Sequence, residues 1–246
     1  MTRAVIEMHR LGKRYDGAAC ADDIWAVRNV TLSIFTGDVT VLMGPSGSGK
    51  TTLLSMIGGL LAPTTGHLCV CGTILDECAE PEREVFRRRS VGFIFQNYNL
   101  LHSLTAAENV AVGLSLRGAD PDAAVGLLEV VGLARRAGSY PEELSGGQRQ
   151  RVAIARALAG EPAVLLADEP TAALDAEQGR LVMGLLRKRA KELGIATLVV
   201  THDPRVRDFA DRVIEMEDGR LHRVVRRVRI PNLNGPAKRG TPHARS

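Results

Sequence analysis

The sequence predicts an α/β fold in which helices cover both faces of a mostly parallel sheet. Short, almost entirely apolar runs at 39–43, 91–95 and 163–167 are typical of strands buried on both faces. Segments with apolar residues at helical spacing separate these runs, most clearly at 176–193. Between 97 and 159 the spacing is helical, which indicates a second lobe inserted into the strand-helix order.

The predicted elements can be placed in order along the chain, and no internal repeat is present. They are strands at 4–8, 25–35 and 39–43, a helix at 50–61, a strand at 67–75, a helix at 80–89, a strand at 91–95, the helical lobe, a strand at 163–167, a helix at 176–193 and a strand at 196–201. The 246 residues, 45% of them apolar, are enough to bury one substantial core. We therefore expect one α/β domain with an inserted lobe.

The positive charge of the chain is concentrated at its end. The net charge is +4, but seven of the 32 Lys and Arg residues lie beyond residue 222, where there is no acidic residue. Without them, 25 basic side chains face 28 acidic ones, a net charge of −3. We therefore interpret 223–246 as a disordered, solvated tail, with contact to anionic lipid as the alternative. We expect no nucleic-acid partner.

Two further features bear on the compartment. No run approaches eighteen apolar residues, and the N-terminus lacks the apolar core of a signal peptide, so we expect a cytoplasmic protein. The four cysteines fit reduced thiols in that compartment, and Cys69-Val70-Cys71 is not a usual zinc-binding spacing.

The first candidate functional motif is a glycine-rich loop between a predicted strand and a predicted helix. The run Gly44-Pro45-Ser46-Gly47-Ser48-Gly49-Lys50-Thr51, followed by Thr52, matches the phosphate-binding pattern GxxxxGK[ST]. Glycines let the backbone wrap closely around phosphates, so that N–H groups and a helix N-terminus point at the negative charge. Lys50 would reach the β- and γ-phosphates, and Thr51 would supply a hydroxyl to Mg²⁺.

The second candidate motif is an acidic pair at the end of a predicted strand. Asp168 ends the apolar run 163–167, and Glu169 follows it. Because ligands bind at the carboxyl ends of parallel strands, Asp168 is expected beside the phosphate loop, where it would hold Mg²⁺. Glu169 would polarise a water for attack on the γ-phosphate, as a general base or by positioning alone.

A third motif lies between these two along the chain. Leu144-Ser145-Gly146-Gly147-Gln148 runs directly into a helical segment at 149–158. With this motif in this order, the chain resembles the nucleotide-binding subunits of ATP-binding cassette (ABC) transporters over about residues 4 to 221. We call 145–148 the signature segment.

The resemblance implies a fold and two cofactors. The nucleotide-binding domain would span 1–222, with a P-loop NTPase core at 1–96 and 160–222 and a helical subdomain at about 97–159. The core would contain a mostly parallel sheet and an N-terminal antiparallel β subdomain. ATP and Mg²⁺ would be the cofactors.

The resemblance also implies roles for single residues. Gln96 matches a glutamine that contacts Mg²⁺ and the attacking water, and His202 matches a histidine that contacts the γ-phosphate. Asp175 matches the aspartate of the family's D-loop. Tyr15 resembles the aromatic residue that stacks on adenine, with Trp25 as the competing candidate.

Partners follow from the same resemblance. In this family two subunits face each other head to tail, so a second copy of the chain is expected to present its signature segment to each ATP. Segments 91–101 and 104–110 look most like the lipoprotein-release and macrolide-export group, and 201–206 and 211–220 are similar to a glycolipid-exporter branch of it. We therefore expect an ATPase subunit, peripheral on the inner face of the membrane, that drives a separate permease for export or lipid extraction.

In this interpretation, residues 97–110 form part of the groove that receives the permease, and a periplasmic adaptor is a further candidate partner. One alternative is a regulatory ABC ATPase that acts on a membrane partner without transport, as in cell-division complexes. Another is a soluble ABC ATPase of DNA repair or translation. The last is disfavoured because the chain has no zinc motif, coiled-coil insertion or second cassette.

Overall fold

The computed structural model describes residues 4–15 and 24–226. The described chain is an α/β protein with two sheets and a helical lobe, as the sequence predicts. The strands are β1 (Ala4–Tyr15), β2 (Ile24–Phe35), β3 (Val39–Met43), β4 (Thr65–Val70), β5 (Thr73–Ile74), β6 (Val91–Ile94), β7 (Val164–Asp168), β8 (Ala196–Thr201), β9 (Arg212–Glu217) and β10 (Arg220–Arg226). The α-helices are α1 (Lys50–Ile57), α2 (Glu80–Ser90), α3 (Ala106–Leu116), α4 (Ala124–Val130), α5 (Gly146–Leu158) and α6 (Ala176–Leu193).

The larger sheet has six strands in the order β10-β9-β3-β8-β7-β6. All neighbouring pairs are parallel except the β9–β10 hairpin. Strands β3 and β8 are buried along their whole length, which explains why their sequences are apolar or Thr throughout. Because β3, β8 and β7 are adjacent and parallel, their carboxyl ends place the phosphate loop, His202 and Asp168 at one edge of the sheet.

The smaller sheet is antiparallel, with the order β2-β1-β4-β5. It is the antiparallel β subdomain that the family resemblance implies. One of its faces packs on the larger sheet through buried residues such as Ile6, Leu11 and Ile34. Two backbone hydrogen bonds at the β9–β10 turn join it to the phosphate loop: Arg28 N donates to Gly219 O (2.7 Å), and Gly219 N donates to Ser48 O (3.1 Å).

The helical lobe consists of α3, α4 and α5 with short 3₁₀ turns between them. Its interior is continuous with the core of the larger sheet, through buried residues such as Val110, Leu128 and Ile154. Asn109 is fully buried, and its amide holds the entry to the lobe by donating to the carbonyls of Leu101, Leu104 and Thr105. No helix of the described residues is long and apolar enough to cross a bilayer.

Several predicted boundaries are wrong. Helix α1 ends at Ile57 rather than near Leu61, because Gly59 has a φ of 69° and begins a turn. The strand predicted at 67–75 is two strands, separated by a turn at 71–72. Helix α5 begins three residues before the predicted segment 149–158.

The boundary predicted for the basic tail also changes. Strand β10 extends to Arg226, so residues 223–226 belong to the larger sheet rather than to a tail. The pairing of Val224 and Val225 with Ile214 and Val213 of β9 carries this strand beyond the predicted limit. The remainder of the predicted tail, 227–246, lies outside the described residues.

Candidate nucleotide site

The glycine-rich loop runs from the end of β3 to the start of α1, in the strand-loop-helix context that the motif requires. Two of its glycines are fixed by close backbone approach. A Cβ on Gly44 would lie 2.0 Å from Met216 O, and a Cβ on Gly49 would lie 2.0 Å from Ala26 O. Gly49 also has a φ of 96°. The loop is therefore packed between β2 and β9, and only glycine fits at these positions.

Lys50 lies in the centre of the loop with 8% of its surface exposed. Its Nζ donates to Gly44 O (2.9 Å), Pro45 O (2.7 Å) and Ser48 Oγ (3.2 Å). Burial lowers the pKa of Lys50, although the charges of Glu169 and Asp168 oppose this effect. These three hydrogen bonds hold the Lys50 ammonium at the mouth of the loop. An anionic ligand bound there can replace the carbonyl oxygens as acceptors of the Lys50 hydrogen bonds.

Asp168 lies at the carboxyl end of β7, beside the start of α1. Its Oδ1 is 3.5 Å from the Thr51 hydroxyl. Burial raises the pKa of Asp168, and the neighbouring Glu169 charge raises it further, against the Thr51 hydrogen bond and the Lys50 charge. A hydroxyl and a partly desolvated carboxylate side by side are oxygen ligands of the kind Mg²⁺ prefers when phosphates complete its shell. These residues fit a magnesium ion.

Glu169 is held by three hydrogen bonds. The Thr201 hydroxyl donates to Oε2 at 2.8 Å, while the His202 amide (3.1 Å) and the His202 Nδ1 (2.7 Å) both reach Oε1. Because a carboxylate only accepts, the proton of the imidazole is assigned to Nδ1. The Glu169 side chain is 12% exposed and that of His202 is 71% exposed. The imidazole Nε2 therefore remains available at the surface of the site.

These groups meet in one cavity of about 630 Å³. Eleven predicted site residues line it: Pro45, Ser46, Gly47, Gly49, Lys50, Thr51, Thr52, Gln96, Asp168, Glu169 and His202. Ala26 and Val200 also line it, and sequence reasoning missed them because neither carries a polar group. Gly44 and Ser48 belong to the loop but do not line the cavity. The Gly44 carbonyl and the Ser48 hydroxyl accept hydrogen bonds from Lys50.

The other predicted site residues do not line this cavity. Ser145 is the N-cap of α5, where its hydroxyl accepts from Gln148 N (3.3 Å) while Gln148 Oε1 accepts from Ser145 N (2.9 Å). This reciprocal pair explains why α5 begins at Gly146, with Gly147 in its first turn. Asp175 is the N-cap of α6, where its carboxylate accepts from Gln178 N at 2.8 Å.

The two aromatic candidates lie on neighbouring strands outside the cavity. Tyr15 was expected in a loop, but it is the last described residue of β1 and is 42% exposed. The segment that follows it, 16–23, lies outside the described residues. Trp25 lines a different surface cavity and packs over Gly12, where an added Cβ would lie 2.9 Å from its ring. This packing fits a structural role for Trp25.

The fold and the site define a P-loop nucleoside triphosphatase. A family model described as ABC transporter matches residues 27–172, more than half of the chain. The lipoprotein-releasing system ATP-binding protein LolD of Bordetella avium is 42% identical over 223 residues, which cover 89% of this chain and 96% of that protein. The chain belongs to the ABC transporter family, and it is an ATP-binding and ATP-hydrolysing domain.

Relatives of different named functions share this similarity. The methionine import ATP-binding protein MetN of Corynebacterium diphtheriae is 46% identical over 222 residues, covering 88% of this chain but only 64% of MetN. A solved dimeric structure of the ATP-binding cassette MJ0796, in a post-hydrolysis state with ADP and Pi, superposes with a TM-score of 0.83 at 40% identity. That match covers 90% of this chain and 98% of MJ0796. The predicted family and fold are confirmed.

Proposed function

We propose that the chain hydrolyses ATP with Glu169 as the group that polarises the attacking water. The observation that carries this proposal is the position of Glu169, which lines the cavity beside Lys50 and is fixed by Thr201 and His202. A carboxylate fixed in this way presents a defined lone-pair direction to a water at the γ-phosphate. The His202 side chain is exposed, and its Nε2 would contact the γ-phosphate.

The phosphates would be held by the loop and by Mg²⁺. N–H groups at the start of α1 and the Lys50 ammonium would bind the phosphate oxygens, and Thr51, Asp168 and Gln96 would hold the ion. When bound, Mg²⁺ would neutralise charge on the β- and γ-phosphates. We retain Tyr15 as the residue that stacks on adenine, because it is exposed at the end of β1 on the strand next to Ala26, which lines the cavity. A Tyr15→Ala protein with undiminished ATP affinity would refute this assignment.

The functional unit would be a head-to-tail dimer of this chain. The signature segment forms the capped start of α5, a site suited to binding an anion, yet it lies outside the cavity of its own chain. A second copy would bring its Ser145, Gly146 and Gly147 to the γ-phosphate, with Asp175 near the interface. The dimeric state of the similar cassette MJ0796 supports this arrangement.

The membrane partner would dock in an apolar groove between the helical lobe and the core. This cavity of about 490 Å³ is lined in part by Phe93, Phe95 and three exposed leucines, Leu60, Leu101 and Leu116. Exposed apolar side chains around a cleft are typical of a protein interface. Leu101 lies within the predicted permease-binding segment 97–110. The chain would thus be peripheral on the inner face of the membrane.

We propose that the permease exports a substrate or extracts lipid or lipoprotein, because of the similarity to LolD along nearly its whole length. A transport assay with the copurified permease tests this direction. Movement of substrate out of the cytoplasm or out of the membrane, coupled to ATP turnover, is expected. Turnover without movement would favour the regulatory alternative, and uptake would reverse the proposed direction. A periplasmic adaptor would copurify only in the export case.

The hydrolytic mechanism is tested with Glu169→Gln, which keeps the shape of the side chain and removes its charge. We expect ATP to accumulate bound to a dimer, visible by analytical ultracentrifugation, while turnover falls by about 10²- to 10⁴-fold. Glu129→Gln is the matched control, because Glu129 is exposed on α4 far from the site. A Glu169→Gln protein that stays monomeric with ATP, even beside its permease, would defeat the dimer model.

A further inference from the structure

The turn that follows Gln96 has an unusual backbone. Tyr98 and Asn99 have φ values of 61° and 47°, so two consecutive residues other than glycine are in the left-handed region. Such a conformation persists only where its surroundings enforce it. The turn itself contributes few bonds, chiefly Tyr98 N to Phe95 O at 3.0 Å and Asn99 N to Asn97 O at 2.6 Å. The enforcing contacts come from elsewhere in the chain.

Those contacts come from helix α5, which begins with the signature segment. Arg156 Nη1 donates to Asn99 O (2.6 Å) and Arg156 Nη2 donates to Tyr98 O (2.9 Å). Arg156 is half-buried, and burial lowers the pKa of its guanidinium. A planar, two-pronged donor fixes both carbonyls at once, and the single ammonium of a lysine cannot reproduce that geometry.

The side chain of Tyr98 makes a second link, to the other end of the same helix. The Arg149 guanidinium lies over the Tyr98 ring at 5.5 Å from its centroid. The Tyr98 hydroxyl lies 3.3 Å from the position that a Cβ on Gly146 would occupy. The phenol therefore lies directly against the first turn of α5, beside Ser145, while the backbone of Tyr98 is held near the last turn.

We propose that Tyr98 and Arg156 are positioning residues that fix the signature segment relative to Gln96. The inference rests on the proposed function, in which Gln96 holds the Mg²⁺ at the ATP site of its own subunit and Ser145 contacts the ATP of the partner. A displacement of Gln96 moves the carbonyls of Tyr98 and Asn99, and Arg156 transmits it to α5 as a rigid body. The two ATP sites of a dimer are thereby linked within each subunit.

A matched control lies in the same lobe. Arg117 is also half-buried, and its guanidinium also donates to backbone carbonyls, those of Val91 (2.5 Å), Arg88 (3.1 Å) and Ala159. Arg117 therefore joins the lobe to the core as Arg156 does, but it does not touch the 96–99 turn. Arg156→Lys and Arg117→Lys each keep the positive charge but remove the planar guanidinium that holds backbone carbonyls. Only Arg156→Lys releases the 96–99 turn.

The experiment measures three quantities for the purified full chain and these variants: the ATP affinity of the subunit, kcat and KM for hydrolysis, and ATP-dependent dimerisation in the Glu169→Gln background. For Arg156→Lys we expect unchanged ATP affinity, a kcat lower by about 10- to 100-fold, and weaker dimerisation. Arg117→Lys should lower the thermal midpoint and keep kcat near the parent value. Tyr98→Ala should act as Arg156→Lys does, and it serves if the latter does not fold.

Equal losses of kcat in both arginine variants would show a purely structural role and overturn the proposal. So would a parent-like kcat in Arg156→Lys and Tyr98→Ala, or a loss that appears only in ATP affinity. The parent chain separates this failure from that of the proposed function. If the Glu169→Gln protein without further changes does not dimerise with ATP, the dimer model has failed, whereas an intact parent with unaffected variants defeats only this inference.

Discussion

The Thr201 hydroxyl lies 2.8 Å from Glu169 Oε2, across the carboxyl ends of the neighbouring strands β8 and β7. Glu169 has a φ of 48°, a backbone conformation that is uncommon for a residue other than glycine. Its amide is tied to β8 as well, because Glu169 N donates to Val200 O at 2.8 Å. The direction of the carboxylate is therefore set by β8, and Thr201 is the neutral side chain that sets it.

Thr201→Val removes this hydroxyl and nearly preserves the shape of the side chain. We expect kcat to fall about tenfold, which corresponds to one hydrogen bond to a charged group of about 1.5 kcal/mol, while ATP affinity is retained. Steady-state hydrolysis and nucleotide titration measure the two quantities. Thr197→Val is the control on the same strand, since within the described part of the chain its hydroxyl donates to Ile195 O alone, at 3.5 Å. A kcat that falls equally in both variants would contradict a specific role of Thr201.

The Lys50→Met variant should weaken ATP binding without lowering the stability of the fold. The buried ammonium is the main cation at the phosphate loop, so its loss should weaken ATP binding at least about tenfold. Because burial lowers the pKa of Lys50, the folded state holds the charged form less favourably than the unfolded state does. The thermal midpoint without nucleotide should therefore not fall. Lys188→Met, an exposed control on α6, should change neither quantity, and a large loss of stability in Lys50→Met would contradict this account.

Gly92 and Gly126 should respond in opposite directions to alanine. A Cβ on Gly92 would lie 2.3 Å from Ala157 O, so β6 and α5 would have to separate, at about 1 to 3 kcal/mol of stability. Gly126 lies within α4 with open space at its Cβ position, and Gly126→Ala should add about 0.5 to 1 kcal/mol. Urea unfolding measures both. Similar values for the two variants would show that close packing of β6 on α5 is not the cause.

Asp211 should make stability depend on acid pH. Burial alone would raise the pKa of Asp211, but hydrogen bonds from Lys191 (2.8 Å) and Val39 N (2.9 Å), with the charges of Lys191 and Arg187, lower it overall. A folded pKa below the ordinary value of about 3.9 gives stability that is present above that value and is lost as the pH falls through the folded pKa.

Asp211→Asn should therefore destabilise the protein by about 1 to 3 kcal/mol at pH 7. The difference between parent and variant should shrink below about pH 4, where the parent carboxylate is protonated. Urea unfolding at pH 7, 5 and 3 measures this difference. Glu142→Gln is the control, because Glu142 is exposed. A difference that stays constant with pH would show that the ion pairs at Asp211 do not contribute.

Local signals in the sequence predicted some elements at their observed limits. Helix α6 spans the predicted 176–193, because Asp175 caps its start and Gly194, with a φ of 68°, ends it. Strand β3 was likewise predicted correctly from its short, almost entirely apolar run. Helix α1 was predicted too long, because the apolar spacing continues past Gly58. The contact of Gly58 with the Phe93 ring is a tertiary one, so the local sequence does not indicate it.

The candidate site divides in the same way. The loop residues and the acidic pair could be located because their chemistry requires a fixed local spacing. The hydroxyl of Thr201 could not be assigned, because its partner Glu169 lies 32 residues away on a neighbouring strand. The left-handed turn at 98–99 is held by Arg156, which is 58 residues from Tyr98, so no local pattern indicates it.

The reciprocal bonds between Ser145 and Gln148 complete the start of α5 within a single chain. An isolated subunit therefore already has this hydrogen-bond donor surface in its final shape, without contact to a second subunit. In the proposed pairing, each reaction centre draws its hydrolytic groups from one molecule and this donor surface from the other. Two inactive variants, one changed at Glu169 and one at Gly147, should therefore regain turnover when they are mixed. In a dimer that contains one copy of each variant, one of the two reaction centres contains neither altered residue.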